Sequence, residues 1–143
     1  MTYQFDGYNY LLRLQRGESL INALNTFARE AKLKSAWCQG IGGAESATIG
    51  YYDLANRNYL WHDINELVEI TSLSGNLAWV DDEPFWHLHG VFGDKNFQSL
   101  SGHIKNLTVG ATCEIFVHSS QRKITRALDP EVGLKLLNLG EES

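Results

Sequence analysis

Residues 85–103 read Phe-Trp-His-Leu-His-Gly-Val-Phe-Gly-Asp-Lys-Asn-Phe-Gln-Ser-Leu-Ser-Gly-His. The turn-forming run Gly93-Asp94-Lys95-Asn96 separates two stretches of period two, Phe85 to Phe92 and Gln98 to Val109. That pattern predicts an antiparallel hairpin. Successive strand side chains point to opposite faces. His87 and His89 therefore share a face with Phe85 and Val91, while Trp86, Leu88 and Phe92 take the other.

Directly opposed residues of a hairpin lie on one face, so the register decides whether His103 joins the pair. A three-residue loop, Asp94-Lys95-Asn96, sets His103 opposite His87. A register two positions further on sets it opposite His89. Either gathers three imidazoles. A four-residue loop, Gly93 to Asn96, turns His103 to the reverse face unless a bulge intervenes.

Outward from this hairpin, Tyr8 to Leu14 alternates as a strand and Gly17 ends it. Ser19 is an N-cap residue, and Leu20, Leu24, Phe27, Ala28 and Ala31 follow at helical spacing, which predicts one amphipathic helix to about Leu33. The period then returns to two. Strands are expected at Ser35 to Gln39, Ala47 to Tyr52, Tyr59 to His62 and Leu67 to Val80, the last with a bulge at Ser74–Gly75. Gly40, Gly42 and Gly43 read as a corner, Asp53 to Asn58 as a turn and Asp81 to Pro84 as a loop. Ala111 to His118 is a further strand, and Lys123 to Leu139 a short strand with a second apolar segment. The sum is an α+β fold, a mostly antiparallel multi-stranded sheet with one main helix packed on it.

The 143 residues contain no repeat, linker or composition break, so residues 1–143 read as a single domain. A chain of this size can bury roughly 70% of its unfolded surface, enough for a core without staples. No apolar run approaches the ~20 residues needed to cross a bilayer, and no signal peptide is visible, so a cytoplasmic protein is expected. Cys38 and Cys113 lie in apolar strands and read as reduced core thiols. The formal net charge of −5, with only Arg122, Lys123 and Arg126 as a basic cluster, opposes stand-alone DNA binding.

An isolated HxH is commonly a pair of hydrogen-bonded surface residues. With His103 on the adjoining strand, His87, His89 and His103 become candidate metal ligands. Three neutral imidazoles with an open fourth position suit zinc, although nickel, iron or copper also accept such ligands. Gly90 and Gly102 beside them leave room for close approach. Glu114, within the apolar Ala-Thr-Cys-Glu-Ile-Phe-Val, is the first candidate for a proton-shuttling carboxylate, and Glu45 the second. Arg126 and Arg13 are candidates for holding a small anionic ligand; surface ion pairs are their plainer reading. His62 and His118 have no partner at metal spacing. Gly40-Ile41-Gly42-Gly43 lacks the spacing of a nucleotide loop and does not lead into a helix.

Four phrases together carry a family resemblance: the helix followed by GIGGAESATIGYYD, then LSGN, HLHGVFGD, and SGH leading into ATCEIFV. The chain from about residue 8 to 137 resembles the PPC (plants-and-prokaryotes conserved) domain. The resemblance implies a sheet with a packed helix and a homotrimer. In plants the domain follows AT-hook motifs and mediates assembly with nuclear proteins; the Arg-Gly-Arg-Pro core of such hooks is absent here. The fold also resembles that of acetolactate decarboxylase and a zinc-dependent ester hydrolase, which hold zinc with an HxH and a later His. The match falls on His87, His89 and His103. Three readings follow: a metal-binding trimeric protein, a zinc-dependent hydrolase or lyase acting on a small carbonyl or carboxylate compound, and an oligomeric interaction module in transcription regulation without DNA binding of its own.

Overall fold

The alternation of residues 85–103 becomes two paired strands in the computed structural model, which describes residues 1–140. Among the described residues, nine strands and one helix follow in the order β1 (Thr2–Phe5), β2 (Asn9–Gln15), α1 (Leu20–Glu30), β3 (Ser35–Asp53), β4 (Asn58–Ile64), β5 (Val68–Val80), β6 (Glu83–Gly93), β7 (Ser99–Ser120), β8 (Thr125–Leu128) and β9 (Lys135–Asn138). The nine strands form one sheet, and its pairings are antiparallel except for the single contact Trp79–Thr125 between β5 and β8. β3 pairs with β5 and β7, and β6 also pairs with both, so these four long strands close a circuit. The expected sheet with one helix is present, with strand far outweighing helix.

The helix forms where the apolar spacing placed it. Ser19 Oγ accepts from the Asn22 amide, capping the first turn. It ends earlier than expected because Lys32 takes a left-handed φ of 52° and the Leu33 amide turns back to the Ala28 carbonyl. Leu20, Leu24, Phe27 and Ala28 are wholly buried against the inner face of the sheet. Burying each of the three large side chains contributes about 1.5–3 kcal/mol. Phe27 meets Tyr3 and Tyr10 edge-on, which also ties down β1, a strand not foreseen from the sequence.

Three local expectations are corrected. Gly40-Ile41-Gly42-Gly43 is no corner: β3 runs straight through it with a register shift between Gly40 and Gly42. A Cβ at Gly42 would lie 2.1 Å from the Thr112 carbonyl oxygen, so glycine here admits the neighbouring β7 backbone. The bulge of β5 falls between Ile70 and Ser72, not at Ser74–Gly75. Gly75 stays in register opposite Leu88 because its missing Cβ would sit 2.1 Å from the His87 carbonyl oxygen. The β5–β6 turn is only Asp81-Asp82, both at positive φ, with Glu83 and Pro84 already in β6. The tail pairs as the β8–β9 hairpin. No helix among the described residues is long and apolar enough to cross a membrane.

Candidate metal centre

β6 alternates as its sequence predicts: Trp86, Leu88 and Phe92 are buried, while Phe85, His87, His89 and Val91 face outward. β7 lies beside it with Gly93 opposite Ser99 and His89 opposite His103. The connecting loop is therefore the five residues Asp94 to Gln98. The Asp94 carboxylate holds it by accepting from the Asn96 and Gln98 amides at 2.9 and 2.7 Å. Of the alternative registers, the one that opposes His89 and His103 is realised.

This register brings the three imidazoles together. One ring nitrogen from each of His87, His89 and His103 lies within 4.8 Å of the others. The Nε2 atoms of His87 and His89 are 3.2 Å apart. Two nitrogens on one tetrahedral zinc, each at ~2.0–2.1 Å, would stand about 3.3 Å apart, so this pair already has ligand spacing. His103 Nδ1 is buried with no hydrogen-bond partner. Burial, the Arg126 charge and His89 push the His87 pKa down to about 4. Burial and the other two imidazoles, with Arg126 last, push His103 down to about 4. Both are thus neutral at physiological pH, the form that ligates a metal.

β4 builds one wall of the site. Gly50 stands opposite both Trp61 and His103, and a Cβ on it would come within 2.6 Å of the Trp61 ring. The space it leaves lets Tyr59 and Trp61 stack at 4.6 Å, with the Tyr59 ring 5.0 Å from that of His103. Gly90 and Gly102 stand opposite each other next to His89 and His103. Their space is used by the chain itself: Cβ atoms there would meet the Phe92 ring and the Gly50 carbonyl oxygen at 2.8 Å. Beside His89 opens a cavity of about 200 Å³, with Ser72, Ser74 and Ser101 among its lining residues.

Arg126 reaches the same corner from β8. Its Nη2 donates to Asn76 Oδ1 at 2.7 Å, and Asn76 stands opposite His87. Its Nη1 donates to the Lys135 carbonyl at 2.9 Å, and the guanidinium lies 5.2 Å over the Phe85 ring. Glu114 is placed elsewhere on β7. It is exposed, opposite Arg13 and Ile41, and with Arg13 it lines a separate groove of about 790 Å³. Glu45 lies within β3 and pairs with Arg16 at 3.5 Å. Neither His62, opposite Ile49, nor His118, opposite Asn9 and Trp37, belongs to the trio. Cys38 and Cys113 are free, buried thiols whose pKa burial pushes up to about 12. The sequence reading missed Asn76, Tyr59 and Trp61 as neighbours of the trio; the one available signal was Asn76 within the phrase LSGN, in a strand that also carries Glu69, Thr71, Ser72 and Ser74.

A closed strand circuit with a covering helix and a cluster of three histidines on its outer face defines a small β-rich protein with a candidate metal site. The chain belongs to the Plants and Prokaryotes Conserved (PCC) domain family, whose pattern it matches over residues 1–121. It is similar to a metal-containing protein of Archaeoglobus fulgidus, 35% identical, with 96% of this chain and 99% of that one covered and a TM-score of 0.87. It is also similar to a Ralstonia eutropha JMP134 protein provisionally described as DNA-binding, at 33% identity, 96% coverage of both chains and a TM-score of 0.91. Acetolactate decarboxylase of Bacillus subtilis shares the fold at 10% identity and a TM-score of 0.60, with 85% of this chain and 54% of that one covered. Among curated proteins, the bifunctional protein GlmU of Synechococcus sp. (strain JA-3-3Ab) is 29% identical over 133 residues. That match takes in 91% of this chain but only 20% of the relative's length.

Proposed function

We propose that this protein binds a divalent transition metal ion, zinc by preference, through His87, His89 and His103, and that it works as a homotrimer. The observation that carries the metal reading is the convergence of three ring nitrogens within 4.8 Å, two of them already 3.2 Å apart. The metal-containing relative from Archaeoglobus fulgidus supports it. A three-imidazole set leaves a coordination position open, and an ion so held acidifies water or polarises a carbonyl. Purified protein is expected to carry one zinc per chain, and His87→Ala and His103→Ala each to lose most of it. Equal metal content in wild type and both variants contradicts the site.

A zinc-dependent hydrolase or lyase is the second reading. The cavity of about 200 Å³ beside His89 favours it, since a purely structural ion has no need of open space. The trimer rests on the outward face, where Leu11, Trp37 and Ile41 are exposed and Leu11 and Ile41 line the large groove. A net charge of −5 is the wrong sign for holding phosphates, so DNA binding is not part of the proposal.

A further inference from the structure

Arg126 is charged at every physiological pH, and it is only partly open to water. Its two terminal nitrogens go to neutral acceptors, Asn76 Oδ1 and the Lys135 carbonyl. Its Nε is buried without a partner. Among the described residues, the ion pairs join other groups, and no carboxylate pairs with Arg126. Asn76, to which the guanidinium donates at 2.7 Å, stands opposite His87, so the charge is fixed beside the trio. A half-buried guanidinium without a counter-ion is costly to hold. It becomes costlier when a dication sits in the adjoining trio.

We propose that the site takes a small monocarboxylate as its ligand, with Arg126 pairing to the carboxylate beside the metal ion. The inference rests on the metal reading above and adds the ligand class to it. His89 lines the cavity, and Arg126 lies just outside its lining. Asn76, which fixes the guanidinium, and Ser74, which lines the cavity, are alternate residues of β5 and so share one face about 7 Å apart. The free space of about 200 Å³ suits a ligand of a few heavy atoms. The serine hydroxyls of Ser72, Ser74 and Ser101 supply neutral hydrogen-bonding partners and add no second negative charge. Guanidinium and carboxylate match in geometry, which an ammonium does not reproduce.

The test uses cobalt-loaded protein, whose visible spectrum reports first that the ion is bound and then that a ligand has arrived beside it. Wild type is titrated with acetate and with acetamide, its neutral counterpart of equal size. Acetate is expected to shift the cobalt bands at least tenfold more tightly than acetamide. Arg126→Gln should keep its cobalt and lose about tenfold or more in acetate affinity, with Arg126→Lys in between. If cobalt binds but acetate and acetamide act alike, or Arg126→Gln binds acetate as wild type does, the carboxylate inference is wrong and the metal reading stands. If wild type binds no cobalt, both fall. Should Arg126→Gln fail to fold, Arg126→Lys decides in its place, and acetate binding as tight as in wild type overturns the inference.

Discussion

His89 and His103 stand directly opposite each other across β6 and β7, with His87 two residues earlier on the same face of β6. That relation makes the trio a product of strand pairing rather than of loop conformation. A one-residue slip would send His103 to the core side. The five-residue loop capped by Asp94 and the facing pair Gly90–Gly102 hold the register.

Gly75 guards the same register from the β5 side. A Cβ there would overlap the His87 carbonyl at 2.1 Å and the Leu88 side chain at 2.7 Å. Gly75→Ala must push β6 away from β5 where the imidazoles sit, and it should cost about 1–3 kcal/mol, the scale of overpacking in a tight interior. Urea denaturation of the metal-free protein measures it. A loss below half a kcal/mol would mean that the two strands are looser than described.

The metal-free protein should lose stability as pH falls. Two histidines have pKa values of about 4 when folded, below their ordinary 6.5. Between those values the unfolded chain binds protons that the folded chain refuses. The neutral imidazoles therefore cost nothing above pH 6.5, and stability falls as pH drops from about 6.5 toward 4. The His87→Gln, His103→Gln double variant should flatten thermal midpoints across that window. An unchanged slope would show that the two rings titrate normally.

Glu114→Gln should leave metal content within experimental error of wild type. The residue lies in the groove with Arg13, on a part of β7 separate from His103. Substantial metal loss in this variant, with the fold intact by circular dichroism, would mean that Glu114 reaches the ion in the assembled protein.

Ile41→Glu places a charge on the exposed apolar rim of the large groove. If that face joins copies of the chain, light scattering should show trimer for wild type and smaller species for the variant. A monomeric wild type, or a variant that stays trimeric, removes this face from the account.

Much of the centre was legible because period-two alternation carries side-chain direction in the sequence itself. HLH set two imidazoles on one face, and SGH brought a third on the adjoining strand. The helix was legible through Ser19 and its apolar stripe. What the sequence hid were features that depend on distant backbone. Gly42 looks like a corner until Thr112 is known to pass 2.1 Å from where its Cβ would be. Gly110 looks like a break, yet β7 continues through it, and a Cβ there would meet the Glu45 amide at 2.7 Å. The nearness of Arg126 to the trio depends on the lone parallel contact Trp79–Thr125, which no local pattern announces.

An anomalous difference map collected on both sides of the zinc edge would locate the ion and its neighbours together. One peak per chain is expected, enclosed by the rings of His87, His89 and His103, with no fourth side chain of the protein bound to it. A map without a peak among those rings, from crystals grown with zinc present, would contradict the metal reading.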